Sequence, residues 1–184
     1  MSGGPVTLVP FRADLLAAVQ PWFEHPEVRR RLGGPEWPAR ELAITEQKLG
    51  EIFRGRRVLR VHSWVALDAA GVPVAKIGGD VYDRWCRYRE DPGGSVVDRV
   101  EPGPAMGLAY VVDPRRWRQG FGRATLRAVV DAPEVADVIL FGAGVDHDNV
   151  ASARCATSAG FVADGAEPDW ESTVYHVLRR RPPR

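Results

Sequence analysis

The sequence predicts an α/β fold in which a mixed, mostly antiparallel central sheet of about seven strands carries helices on both faces. Three observations predict it. Apolar runs with strand character occur in both halves of the chain, and patterns at helical spacing fall between them. Val58 to Leu67 and Val72 to Val81 flank the turn-rich Asp68 to Gly71, as an antiparallel hairpin requires. From Met106 onward the order is strand, helix, strand, helix, strand.

Val6 to Pro10 reads as the first strand, with Thr7 and Val9 opposite Leu8. Arg12 to Gln20 places Leu15, Leu16 and Val19 at helical spacing, and Pro21 breaks or restarts that helix. Pro26 to Leu32 is a short helix closed by Gly33 and Gly34. Trp37 to Phe53 is expected to be a longer helix, striped by Leu42, Leu49, Ile52 and Phe53 and ended by Gly55. After the hairpin, Tyr82 to Ala105 mixes arginines and acids with Trp85 and Tyr88 and shows no clean period. Residues 83–105 are therefore expected to form a long loop on the substrate side. Met106 to Val112 is the fourth strand, Gly120 to Val130 a helix, and Val138 to Gly144 a fifth strand buried on both faces. A helix begins at Asn149, Phe161 to Ala163 and Thr173 to Leu178 close the sheet, and 179–184 is expected to fray.

The 184 residues, 45% hydrophobic and 27% charged, suit one globular domain over residues 1–184. A net charge of +1 offers no global attraction to nucleic acid or to a membrane surface. There is no run of about 18 apolar residues to span a bilayer, and Met1 to Pro10 lacks the pattern of a secretory signal, so a cytoplasmic protein is expected. Cys86 and Cys155 suggest neither a disulfide framework nor a zinc site. The four histidines lack metal-ligand spacing, so no metal is expected.

The segment from Val111 to Leu126 joins an apolar strand to a helix through a basic turn. Small residues at Gly120, Gly122 and Ala124 let backbone approach a bulky anion, and the first amides of the helix have no intrahelical acceptor. Those donors and the helix dipole favour negative charge. Arg115, Arg116, Arg118 and Arg123 add cations suited to phosphate oxygens. The competing phosphate motifs fit less well. A dinucleotide fingerprint wants its first glycine at the strand end, where Asp113 to Gln119 intervene, and a phosphate-loop NTPase needs a Gly-Lys-Ser/Thr that is absent.

Strand, basic turn, Gln119-Gly120-Phe121-Gly122-Arg123-Ala124 and amphipathic helix together resemble the acyl-CoA-binding motif of the GCN5-related N-acetyltransferase (GNAT) superfamily, whose pattern is Arg/Gln-x-x-Gly-x-Gly/Ala. Trp117 stands at the first position, which resembles the ribosomal-protein N-terminal acetyltransferase branch. Asn149-Val150-Ala151-Ser152, followed by Ala159-Gly160-Phe161, resembles the family's Asn-x-x-Ser helix. Read from the residues alone, Asn149 is an N-cap and Gly160 a helix stop. The resemblance implies the family's fold over nearly the whole chain, with the fourth and fifth strands splayed to admit pantetheine. It implies acetyl-CoA as co-substrate, held by Tyr110, Val111, Val112, Trp117, Arg118, Gln119, Gly120, Phe121, Gly122, Arg123, Ala124, Asn149 and Ser152. It also implies an acetyltransferase that moves the acetyl group directly to a primary amine of a small molecule or of a protein N-terminus.

Such a transfer needs a neutral amine, a donor for the developing oxyanion and a proton for the departing thiolate. Asp80, Asp83, Glu101 and Asp146 are the candidate bases near the expected groove, with Asp80 and Glu101 foremost. Many relatives carry a tyrosine where this chain has Ala156, which leaves Tyr82, Tyr110 or water as proton donor. Val6-Thr7-Leu8, His25-Pro26-Glu27-Val28-Arg29 followed by Leu32-Gly33-Gly34, and Arg154-Cys155 before Ala159-Gly160-Phe161 resemble aminoglycoside acetyltransferases as well as the ribosomal-protein branch. A polycationic aminoglycoside, however, wants a carboxylate-lined site, and Met106 to Val112 has no acid. Trp22, Trp37, Trp64 and Trp85 are candidates for apolar walls, with core packing expected for at least two. The missing tyrosine keeps a non-catalytic acyl-CoA sensor open as an alternative, and the sequence leaves a homodimer open.

Overall fold

A computed structural model describes residues 4–44, 48–92, 94–165, 167–169 and 171–180. Its strands are β1 (Thr7–Pro10), β2 (Ile52–Phe53), β3 (Arg56–Leu67), β4 (Pro73–Asp91), β5 (Gly94–Val112), β6 (Leu140–Asp146), β7 (Val162–Ala163) and β8 (Thr173–Arg179). The helices are α1 (Leu16–Val19), α2 (Pro26–Leu32), α3 (Trp37–Ile44), α4 (Phe121–Val130) and α5 (Val150–Ser158). The sheet order is β1-β3-β4-β5-β6-β8-β7, with β2 hydrogen-bonded to β3. β5 and β6 run parallel, and the other neighbours are antiparallel.

The first hairpin forms as its turn residues dictate. Asp68 accepts hydrogen bonds at Oδ1 from the amides of Ala70 and Val72, and Gly71 takes φ 77°. Pro21 does not break the helix outright. A 3₁₀ turn over Gln20–Glu24 continues from α1, with the proline at the start of that turn where its missing N–H costs nothing.

Three expectations need correction. The expected loop over 83–105 is, at residues 83–91 and 94–105, the outer halves of β4 and β5, paired out to Asp91 opposite Gly94. Register shifts between Tyr82 and Arg84 and between Arg87 and Tyr88 swap the outward and inward faces. A period of two therefore never persists long enough to be read from sequence. The helix expected over Trp37 to Phe53 ends at Ile44, residues 45–47 lie outside the described residues, and Ile52–Phe53 is a strand. Arg54 and Gly55 at φ 49° and 77° make the tight left-handed turn that returns Phe53 to Arg56. Arg179 pairs with Leu140, and the Arg180 amide donates to Ile139, so these two residues are held rather than frayed. Residues 181–184 lie outside the described residues.

The sheet buries both faces. On one, Leu126 and Val129 of α4 and Ala156 of α5 pack on Ile77, Val81, Met106 and Phe141. On the other, Val19, Trp22, Phe23 and Val28 from the α1–α2 region pack on Val65 and Val111. Parallel pairing of β5 with β6 runs only from Ala105 opposite Leu140 to Leu108 opposite Ala143. Beyond that point β5 continues to Val112 and β6 to Asp146 without each other, which opens the expected gap between the fourth and fifth predicted strands.

Candidate functional site

The gap exposes main chain. Asp113 donates to the Val74 carbonyl at 2.9 Å and continues the register in which Ala75 opposes Val112. Hydrogen-bonded positions alternate along an antiparallel pair, so the peptide groups of Tyr110 and Val112 face away from β4, toward the space β6 has left. The Trp117 indole donates to the Val112 carbonyl at 2.9 Å and ties the basic turn to the gap. His25, the N-cap of α2, meets the Trp117 ring edge-on at 4.6 Å.

At the start of α4 the first helical bond runs from the Ala124 amide to the Gly120 carbonyl at 3.1 Å. The amides of Phe121, Gly122 and Arg123 precede it and lack intrahelical acceptors. Gly120 sits at φ 88° and Arg118 at φ 62°. That conformation costs a non-glycine residue about 1–2 kcal/mol. The four arginines of the turn divide into two pairs. Arg115 is gripped by Asp113 at 2.8 Å, and Arg116 by Asp68 at 3.0 Å. Among the described residues no carboxylate pairs with Arg118 or Arg123. Gln119 donates to the Arg115 carbonyl. Gly122 is small for a packing reason: a Cβ there would lie 2.7 Å from Cys155 Sγ and 3.3 Å from a Val112 methyl.

Asn149 caps α5 by accepting the Ser152 amide at 3.1 Å, and the Ser152 hydroxyl lies 2.8 Å from the Tyr110 hydroxyl. Tyr110 of β5 thus meets the Asn149-capped start of α5, 42 positions on at Ser152. Burial pushes the Tyr110 hydroxyl well above the usual phenol range. Thr157 and Ser158, beside the missing tyrosine at Ala156, donate back to the carbonyls of Ala153 and Cys155.

On the α1–α3 face a 370 Å³ cavity adjoins the gap. Its floor is built from small residues on three neighbouring strands: Gly78 of β4, Gly107 and Ala109 of β5, Gly142 and Gly144 of β6. Side chains close over this floor. A Cβ on Gly142 would collide with the Trp85 ring, and one on Gly144 would lie 3.1 Å from Thr173 and 3.4 Å from Tyr175. Trp37 and Trp85 line the cavity, while Trp22 and Trp64 are core residues.

The four candidate bases end in different places. Asp80 lines the cavity, 3.4 Å from Lys48 Nζ and accepting from the Tyr82 hydroxyl at 3.2 Å. Glu101 faces elsewhere. It accepts from Arg179 at 2.7 and 2.8 Å and from Arg99 at 2.9 Å, and the Arg179 hydrogen bonds hold its carboxyl below the usual range. Asp83 is bound by Arg84 and by the Arg57 amide, and Asp146 by Arg31 at 2.6 Å. Sequence reasoning missed Glu41, Lys48, Arg56 and Lys76, which also line the cavity. Lys76 alone left a trace, as a cation inside the apolar run Val74 to Ile77. Among the described residues no group of His, Cys, Asp and Glu is placed to hold a metal, and no helix is long and apolar enough to cross a membrane.

The family described as the acetyltransferase (GNAT) domain matches residues 6–162. An uncharacterized N-acetyltransferase of Bacillus subtilis (strain 168), YfmK, is 26% identical over 167 residues, covering 89% of this chain and 90% of its own. Among solved structures, the aminoglycoside acetyltransferase AAC(6')-Ib in complex with coenzyme A superposes with a TM-score of 0.69 at 18% identity, over 95% of both chains. A spermidine N-acetyltransferase SpeG chimera from Vibrio cholerae and hSSAT reaches 0.65 at 10% identity, over 96% of both.

Proposed function

The chain belongs to the GNAT acetyltransferase family and is an acyltransferase, and from that premise we propose that it transfers an acetyl group from acetyl-CoA directly to a primary amine seated in the 370 Å³ cavity. One observation carries the proposal. Among the described residues the only parallel ladder in the sheet ends at Leu108 and leaves the peptide groups of Tyr110 and Val112 facing a gap that runs from the free amides of α4 to the cavity.

The residues present fit a coenzyme A thioester. The amides of Phe121, Gly122 and Arg123, with Arg118 and Arg123 uncommitted to carboxylates, suit the pyrophosphate. The β5 peptide groups that β6 leaves, those of Tyr110 and the Val112 N–H, suit an amide-bearing arm laid along the strand, and one of these N–H groups suits a carbonyl oxygen that gains charge. Acetyl-CoA supplies the activated acyl group, and the chain supplies position and proton handling. Asp80 is the group that would take a proton from an ammonium in the cavity, at a carboxylate oxygen oriented by Tyr82. Tyr110 keeps its proton through the neutral range, which suits a donor rather than a base.

The cavity speaks against a polycationic acceptor. Its charged walls, Glu41, Lys48, Arg56, Lys76 and Asp80, leave one positive charge over among the described residues. Calorimetry with CoA and thiol release from acetyl-CoA over an amine panel test the proposal. Micromolar CoA binding with amine-dependent thiol release is the expected result. CoA binding without turnover on any amine would favour the sensor alternative.

A further inference from the structure

We infer that the acceptor amine also bears a carboxylate and that Arg56 reads it as a specificity-determining residue; this rests on the acetyltransferase reading above. Arg56 is 8% exposed, lines the cavity, and has its Nε sealed from solvent without an acceptor. Its guanidinium carbon lies 4.0 Å from the centre of the Tyr82 ring and 5.7 Å from that of Trp85. Among the described residues no carboxylate pairs with it. The other cations of the cavity are matched, Lys76 by Glu41 at 2.7 Å and Lys48 by Asp80 at 3.4 Å.

A guanidinium removed from water without an anion is costly. Aromatic faces offset only part of that cost. An anionic group on the ligand would offset the rest, and the single unmatched charge calls for a monoanion. With Nε turned into the protein, the terminal nitrogens remain, and that edge suits a planar carboxylate in bidentate contact. The ring that Arg56 covers also carries the hydroxyl that donates to Asp80 at 3.2 Å. The carboxylate reader and the amine's proton acceptor therefore both contact Tyr82 and line the same cavity, within reach of one small molecule holding both groups.

The experiment separates binding from turnover on the full chain. The α-amino acids, β-alanine and 4-aminobutyrate are each titrated against the corresponding carboxamide, by calorimetry and by the fluorescence of Trp37 and Trp85, which line the cavity. At least one acid is expected to bind tenfold or more tightly than its amide. R56M is expected to bring that ratio near one, and R56K to keep part of it. Equal affinities in the wild type, no binding by any acid, or an unchanged ratio in an R56M protein that keeps its melting transition would each overturn the inference. If R56M does not fold, the wild-type ratio decides. Acids that bind through Arg56 yet release no thiol from acetyl-CoA would sink the acetyltransferase reading and leave the carboxylate inference standing. Carboxamides or polyamines that turn over as fast as the acids would do the reverse.

Discussion

Lys76 Nζ lies 2.7 and 2.8 Å from the two carboxylate oxygens of Glu41, joining the start of β4 to α3 through an ion pair whose side chains are 6% and 18% exposed. Ser63 also donates to Glu41 at 2.8 Å, and the ammonium stands 5.0 Å from the centre of the Phe11 ring. Breaking one side of such a pair strands a buried charge, so E41Q is expected to cost about 3–5 kcal/mol. Replacing both partners by Met and Leu removes the desolvation cost along with the attraction and should recover most of that loss. Urea unfolding of the single and double variants measures both.

Gly122 and Cys155 are coupled by space. G122A places a methyl group 2.7 Å from Sγ and should destabilise by about 1–3 kcal/mol, less a gain of up to about 1 kcal/mol in helix propensity. In a C155A background the obstructing sulfur is gone, and the same change should become neutral or stabilising. An additive double-mutant cycle would show that α4 and α5 do not press together at this point.

Arg118 and Arg123 should bind phosphate, because no described carboxylate competes for them. R118A and R123A are each expected to weaken CoA by about tenfold, the scale of one exposed charge-assisted hydrogen bond. Pantetheine, which lacks the pyrophosphate, should bind both variants as it binds the parent protein. Equal losses for the two ligands would move the pyrophosphate away from this turn.

Asp80 and Glu101 separate cleanly in kinetics. D80N should lower kcat by about 10²- to 10⁴-fold, the usual contribution of a positioned base, with CoA affinity unchanged. E101Q should leave kcat near the parent value, because Glu101 is spent on Arg179 and Arg99 away from the cavity. A reversed pattern would return the base role to Glu101.

Asp148 reports on the contact between α2 and the turn before α5. Hydrogen bonds from Arg31 at 2.8 Å and Arg30 at 3.1 Å depress its carboxyl to about 2. A depressed folded-state pKa stabilises above the unfolded value of 3.8, and the benefit is lost as pH falls from there toward 2. Carboxyl NMR should find the midpoint near 2 in the parent and raised toward 3.8 in R31A. An unshifted midpoint in the parent would mean that the ion pairs are absent in solution.

Particular residues show what was legible. The Gly120 start of α4, the Asn149 cap and the Gly160 stop at φ 97° were each written within a few neighbouring residues, because caps and left-handed turns are settled by short-range sterics and hydrogen bonds. The outer hairpin was not, because its register shifts erase the alternation that marks a strand. Nor was the reason for Gly122, which depends on a cysteine two elements later.

Sequence alone therefore determined the family, the sheet with its two helical faces, and the basic turn into α4 proposed above for pyrophosphate, all of which were read from local pattern. Only the tertiary structure decided which charges cancel and which remain. Glu41 meets Lys76, Lys48 meets Asp80, Glu101 turns to Arg179, and Arg56 is left facing a cavity floored by glycines from three strands. Electrostatic pairing acts through space between residues tens of positions apart, and no periodicity along the chain records it.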